Sequence, residues 1–311
     1  MSRYLILNTG AKMPTIGFGT YLLQGDALRS SLDYALFLGY RLIDTASSYG
    51  NEADIGQVLR DRIQSGRMKR KDVYITTKIA KTHLKRASTI RCLQKSLHDL
   101  GTSYADAVLI HTPWGVVDTG PGSDTVEFDD VHFTETWTAL QSLFQDGSAR
   151  SIGVSNFTVK QIEQILDNGS PPPSHLQMEC HAYLAQNKLK AFCDANNIVV
   201  TAYSPLGAPA YPVDDESERE RRLLSDPCIA KISERVRKTP AQVLLTFLMQ
   251  RGMAVVPKSK TNDRIKENFD STNWKLSKKD FDIIMGLDCG VKYFKFKNRT
   301  GHPEFFPQED F

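Results

Sequence analysis

Short apolar runs alternate with helix-period segments along the chain. This predicts an α/β fold, a closed (β/α)8 TIM barrel with an N-terminal β-hairpin, long catalytic-face loops and a C-terminal loop. The strand-like runs recur about eight times, which specifies a closed barrel more naturally than an open sheet. Length agrees. The chain has 311 residues, more than a usual single domain, yet α/β barrels commonly run past about 250 residues as one unit, so residues 1–311 are read as one domain. Asp44, Lys78 and His111, side chains able to move or steer a proton, close three successive runs, and the strands of a parallel barrel open their C-termini on one face.

Taken in order, Tyr4–Leu7 and Met13–Ile16 around Asn8-Thr9-Gly10 read as the hairpin. Strands are expected at Thr15–Tyr21, Arg41–Thr45, Val73–Ile79, Ala105–His111, Ala149–Ser155, His175–Cys180, Ile198–Tyr203 and Met253–Lys258, flanked by Gly, Pro, Asn or Asp. Between them, Asp26–Leu38 carries Leu28, Leu32, Ala35 and Leu36 on one face and stops at Gly39; Glu52–Ile63 stops near Gly66. Thr134–Gln145 ends at Asp146-Gly147 and Val159–Asp167 at Asn168-Gly169, while Thr239-Pro240 opens a helix with a capping Thr and a Pro at the first helical position.

Three segments fall outside the repeat. Thr112–Phe133 follows His111, Ser204–Asp226 follows the seventh strand, and Cys289–Phe311 is a phenylalanine-rich tail without helical period. Loops beyond about 12–15 residues in a compact domain are usually functional or disordered, so all three are expected at the catalytic face as pocket walls. The mixed charge of Asp214–Arg222 reads as a solvated lid rather than a binding surface.

Composition sets the class. The chain is 41% hydrophobic and 24% charged, and its net charge of +3 is spread along the sequence, which gives little reason to propose nucleic-acid or membrane partners. No apolar run approaches the roughly 18 residues that span a bilayer, and Met1-Ser2-Arg3-Tyr4 begins no signal peptide. A cytoplasmic monomer acting on a small molecule is the expectation. Five cysteines, Cys92, Cys180, Cys193, Cys228 and Cys289, form no close pair and read as reduced thiols. The glycosylation-type triplets at Asn156, Asn168 and Asn298 then have no route to modification.

Separated motifs resemble the aldo-keto reductase family over essentially the entire length. Gly39-Tyr40-Arg41-Leu42-Ile43-Asp44-Thr45-Ala46-Ser47-Ser48-Tyr49-Gly50-Asn51-Glu52 is similar to its first signature, and Val255-Val256-Pro257-Lys258-Ser259 with Arg264, Glu267 and Asn268 to its cofactor segment. Between them lie Gly153-Val154-Ser155-Asn156-Phe157 and Gln177-Met178-Glu179-Cys180-His181. The resemblance implies a barrel that reduces aldehydes and ketones with NADPH.

Carbonyl reduction needs a hydride at carbon and a proton at oxygen, where negative charge develops, so a donor must stand there in advance. Tyr49 is the candidate donor. A phenol with a pKa of about 10 is a weak acid near neutrality, and the ammonium of Lys78 is expected to lower it, with Asp44 as the counter-ion holding Lys78 charged. Neutral His111 can donate a hydrogen bond to the carbonyl oxygen. Each alone has a plainer reading: a structural ion pair, a partly buried aromatic, a satisfied core histidine. Together, in or just after the ends of three successive strands, they read as a catalytic tetrad. His181 is different; where the family often has proline next, this chain has Ala182, which favours a structural role.

For the cofactor, Gly17-Phe18-Gly19 lacks the third glycine and the following helix of a dinucleotide fingerprint. Instead Lys258, Ser259, Lys260 and Thr261 precede a helix whose first turns carry Arg264, a natural phosphate site that favours NADPH over NADH. The resemblance further implies cofactor contacts from Gly19, Thr20, Tyr21 and Asp44, carboxamide contacts from Ser155, Asn156 and Gln177, and stacking by Tyr203. It gives the pyrophosphate to Ser204 and Leu206 and the adenine to Glu267 and Asn268. Tyr21 and Trp114 should line the substrate pocket beside Tyr49 and His111, with Phe294, Phe296, Phe305 and Phe306 as further walls. A cofactor-binding regulatory or structural protein on the same barrel and an unrelated barrel enzyme are the alternatives; the intact tetrad argues against the first, and the missing second phosphate-loop or metal signature against the second.

Overall fold

The computed structural model describes residues 3–118, 127–169, 171–209, 222–296 and 300–305. Strands β1 (Tyr4–Ile6) and β2 (Lys12–Pro14) form an antiparallel hairpin with Tyr4 opposite Pro14. Eight further strands pair in parallel: β3 (Phe18–Gly19), β4 (Leu42–Asp44), β5 (Tyr74–Ile79), β6 (Ala107–Ile110), β9 (Ile152–Ser155), β10 (His175–Glu179), β11 (Val199–Tyr203) and β12 (Ala254–Val255), neighbours in that order. The short β7 (Gly115–Val116) and β8 (Phe128–Asp129) make a separate ribbon in the loop after β6.

The sheet closes on itself. Ile16 bridges Val255 in parallel, the Gly17 N–H donates to Val255 O at 2.8 Å and the Gly19 N–H to Pro257 O at 3.1 Å. Closure at this seam depends on the absence of a side chain, because a Cβ on Gly19 would stand 2.5 Å from the Val256 carbonyl oxygen. The fold is the expected (β/α)8 barrel.

Strand alternation separates two cores. Along β5, Tyr74 joins the barrel interior with Leu42, Ala107, Leu109, Ala254 and Val256, whereas Ile75 and Ile79 face the surrounding helices. Leu7 and Met13 of the hairpin join the same interior cluster beside residues that start their strands, so the hairpin plugs the N-terminal mouth. Helices α1 (Gly25–Leu38), α2 (Glu52–Gln64), α3 (Arg86–Leu100), α4 (Phe133–Gln145) and α5 (Val159–Asp167) cover the outside, followed by α6 (Asn187–Ala195), α7 (Pro227–Val236), α8 (Pro240–Gln250), α9 (Asn262–Asp270) and α10 (Lys278–Met285). Gly39 ends α1 at φ 113°, a left-handed turn that glycine adopts without steric cost. Thr239 caps α8 through a reciprocal pair with Gln242.

Strand bounds are shorter than expected at the seam. Met253–Lys258 reduces to Ala254–Val255 because Pro257 has no N–H to give the ladder. Asn298, Phe306 and all of the Asp214–Arg222 stretch except Arg222 lie outside the described residues. No described helix is long and apolar enough to cross a membrane.

His175 sits inside the barrel, 1% exposed, with Nε2 2.6 Å from the Thr201 hydroxyl. Burial and the Lys78 charge push it down to about 3. The unfolded chain therefore binds a proton near 6.5 that the folded chain refuses, so stability falls as pH drops from about 6.5 towards 3. By pH 5 this one residue should cost roughly 2 kcal/mol, and His175→Asn should flatten the acid limb of a denaturant-melt series by about that amount. An unchanged slope would show that His175 does not set it.

Candidate active site

The site is built on the ends of β4 and β5. Lys78 is 1% exposed, and an ammonium so buried must be neutralised and fully hydrogen-bonded. It donates to both oxygens of Asp44 at 2.9 and 3.0 Å, to the Thr45 carbonyl at 2.8 Å and to the Tyr49 hydroxyl at 3.3 Å. Burial lowers the Lys78 pKa while the Asp44 carboxylate raises it. Asp44 is held in turn: Gln177 of β10 reaches across the barrel to Oδ1 at 2.6 Å, and the Thr20 N–H and hydroxyl both donate to its main-chain oxygen.

Tyr49 stands in a single 3-10 turn, Ser47–Tyr49, that begins three residues after β4. The Ser47 hydroxyl pins this turn to the lysine strand, donating to Lys78 O at 2.9 Å and accepting the Ala80 N–H at 3.1 Å. On the other side Gln24 donates to the Tyr49 carbonyl at 2.6 Å. The Tyr49 ring lies 5.1 Å from that of Tyr21 and 5.7 Å from that of His111.

Two electrostatic results follow. His111 is pushed down to about 3 by burial first and then by Lys78 and Lys81, so the imidazole is neutral as expected. Its Nδ1 is 3.3 Å from the Ser48 hydroxyl. The expected lowering of the Tyr49 pKa is reversed: burial raises it well above the ordinary phenol value, and Asp44 adds to the rise. The main reason is that a phenolate would lose its hydration here, and because Asp44 lies beside Lys78 the phenol also meets an ion pair rather than a lone cation. Tyr49 is therefore a fully protonated donor at neutral pH.

These groups open into a cleft of about 620 Å³. Asp44, Tyr49, His111, Gly19 and Tyr21 lie at one part of its lining, with Ser155, Asn156 and Gln177 from β9 and β10 and Tyr203, Ser204 and Leu206 from the end of β11. Lys258 lines it as well. Asn156 (φ 62°) and Ser204 (φ 49°) adopt left-handed backbone there, and Asn156 links His111 O at 2.9 Å to the Tyr203 hydroxyl at 2.7 Å. Trp114, Phe294 and Phe296 complete the wall. Trp114 is only 1% exposed because Phe296 and Phe305 pack edge-on against it, each at 5.3 Å.

Not every expected contact faces the cleft. Thr20 is fully buried and braces Asp44, Lys78 lies beneath the lining, and Glu267 accepts the Thr239 hydroxyl across two helices. Ser259 and Asn268 are buried, whereas Lys260, Thr261 and Arg264 are exposed around the start of α9. Thr261 makes no side-chain cap there, leaving the first N–H groups of α9 to another acceptor. Burial first, and then repulsion from Lys260, lower the Lys258 pKa. A cluster of exposed cations at an uncapped helix start fits a phosphate-bearing cofactor. Ser48 and Lys81 also line the cleft; no sequence pattern marks Lys81, whereas Ser48 sits beside Tyr49 in the first motif.

Residues 15–288 match the model of the aldo/keto reductase family. The chain belongs to the aldo/keto reductase family. It is 38% identical over 302 residues to aldo-keto reductase family 1 member A1-A of Danio rerio, covering 94% of this chain and 92% of that one. Identity to aldo-keto reductase family 1 member A1 of Homo sapiens is 36% over 322 residues, 98% of each chain. The solved aldose reductase of Schistosoma japonicum superposes with a TM-score of 0.92 at 34% identity, over 100% of both chains. As an aldo/keto reductase the chain is an oxidoreductase of the kind that reduces carbonyl compounds.

In this aldo/keto reductase the buried ion pair can be tested apart from turnover. Lys78→Met should destabilise by about 3–5 kcal/mol, the usual cost of orphaning a buried charge, read by urea unfolding. Adding Asp44→Asn should recover part of that loss. Purely additive losses would mean that the two residues are not coupled.

Proposed function

We propose that the protein reduces aldehydes and ketones to alcohols with NADPH, with Tyr49 as proton donor. The observation that carries this reading is the protonated Tyr49 hydroxyl 3.3 Å from Lys78 Nζ, in a cleft it shares with neutral His111. Bound NADPH would supply the hydride to the carbonyl carbon. The chain's own residues do the rest. Tyr49 passes its proton to the developing alkoxide, and the phenolate left behind is received by the Lys78 ammonium. Asp44 and the Thr45 carbonyl keep that ammonium charged and aimed. His111 orients the substrate oxygen; in the tautomer whose Nδ1 accepts from the Ser48 hydroxyl, the Nε2–H is the group that would meet that oxygen.

The cofactor would be held by Lys258, Ser259, Lys260, Thr261 and Arg264 around its 2′-phosphate, with Glu267 and Asn268 near the adenine. Ser155, Asn156 and Gln177 would take the carboxamide, Tyr203 the ring face, and Ser204 and Leu206 the pyrophosphate. Four free, buried or half-buried thiols and one exposed one suit a reducing cytoplasm. The closed barrel leaves no edge of its eight-stranded sheet to recruit a second copy, in keeping with a monomer.

An assay of NADPH oxidation with a reactive aromatic aldehyde tests the reading. Cofactor binding without turnover would favour a binding protein on the same barrel. Tyr49→Phe should lower turnover by about 10²–10⁴, the worth of general acid catalysis, while NADPH affinity stays near wild type. Turnover within a few-fold of wild type would remove Tyr49 from the acid role.

Arg264→Ala should weaken NADPH by about 2–3 kcal/mol, the scale of a charge-assisted contact, and NADH little. Fluorescence titration of both cofactors decides it. Equal losses would assign the phosphate to Lys258, Ser259 or Lys260.

A further inference from the structure

The C-terminal segment that walls the cleft has no ladder or helix to hold it near Phe294 and Phe296. Irregular backbone still needs partners for its N–H groups, and two adjacent ones here share one side chain. Glu179, the last residue of β10, is 4% exposed. Its Oε1 accepts the Tyr293 N–H at 2.8 Å and its Oε2 the Phe294 N–H at 3.2 Å. His181 Nε2 lies 3.2 Å from Oε1, and the His181 ring packs 5.0 Å from the Tyr293 ring. An ionised carboxylate only accepts, so it can clamp two adjacent main-chain donors at once.

The clamp has an address. Glu179 lies two residues beyond Gln177, the residue that grips Asp44, so a rigid strand ties the tail to the catalytic pair. Immediately after the clamped N–H groups, the Phe294 ring stands edge-on to Tyr203 at 5.5 Å and the Phe296 ring edge-on to Trp114 at 5.3 Å. Both rings line the cleft. Earlier ties, from the Cys289 and Val291 N–H groups to Tyr183 O, hold the run-in but not the rings.

We propose that Glu179 is a specificity-determining positioning residue: by clasping the main chain at Tyr293 and Phe294 it fixes the aromatic wall against which bulky apolar carbonyls are bound. The inference rests on the carbonyl-reductase reading. A small aldehyde that reaches only Tyr49 and His111 has no use for this wall, whereas an aromatic ketone leans on it. Glu179 touches neither.

The test compares a small aliphatic aldehyde with a bulky aromatic ketone at saturating NADPH. Glu179→Gln puts an amide donor against one of the two N–H groups. It should raise KM for the ketone by about tenfold, the effect of one lost charge-assisted hydrogen bond, and leave the aldehyde KM, both kcat values and NADPH affinity near wild type. Phe294→Ala should give the same ketone loss, and the double variant no more than either alone. Trypsin cleavage after Lys292 and Lys295 should quicken in Glu179→Gln. Glu179→Asp keeps the charge with a shorter reach; it should show the same pattern at smaller size and serves if the glutamine variant does not fold. Equal KM changes for both substrates, additive losses in the double variant, or unchanged cleavage would overturn the proposal. A wild type that turns over neither substrate would instead fail the reductase reading, and cleavage alone would then decide the clasp.

Discussion

Burying an ammonium inside a protein costs many kcal/mol unless a counter-charge and a full set of acceptors surround it, and the barrel's upper layer is organised around meeting that demand for Lys78. Its partners come from four places: Asp44 from β4, the Thr45 carbonyl just beyond it, the Tyr49 hydroxyl from the following turn, and Gln177 of β10 indirectly through Asp44. None can be supplied unless the neighbouring strands are in register and the sheet has closed. The pairing of Asp44 with Thr76 across β4 and β5 sets the two ends side by side. Thr20 then locks the Asp44 carbonyl from β3, next to the closing seam. The lysine thus converts barrel closure into a fixed distance between a cation and a phenol.

The strand ends, and with them the four candidate residues, are legible because the short apolar runs stop at charged or polar residues followed by turn chemistry. What is not legible is a sign that depends on the balance of burial and charge. From residue types alone Lys78 should lower the Tyr49 pKa; in the fold, desolvation and Asp44 outweigh it. Helix α6 is hidden for a local reason: it starts after Gln186 at φ 54° without a capping side chain, so no start signal marks it. Helices α7 and α10 do carry signals, Asp226-Pro227 and the Ser277–Asp280 pair. The tail's contacts are illegible in kind, since main-chain N–H groups bound to a distant glutamate leave no periodicity. Trp114 is legible as a pocket residue but not as a buried one, because its cover comes from Phe296 and Phe305, far along the chain.

Charge is distributed unevenly along the cleft, and that distribution separates two tasks. Around Tyr49 both hydrogen-bonding side chains, the Tyr49 phenol and the His111 imidazole, are neutral, kept so by burial first, with Asp44 adding to it at Tyr49 and the Lys78 and Lys81 cations at His111. Lys258 lines the cleft too, and Lys260 and Arg264 are exposed around the start of α9, with Lys258 and Lys260 close enough to repel each other. A polyanion gains most by placing its phosphates on that cationic cluster, which relieves the repulsion, and gains less beside the neutral donors. An uncharged carbonyl has the opposite preference, because two directed donors in a partly desolvated cleft are worth more to its oxygen than mobile surface cations. Electrostatics thus favours different positions for a polyanion and for an uncharged carbonyl. Pairing Asp44 with Lys78 serves the same end, because either one left alone would set an uncompensated charge beside the Tyr49 phenol.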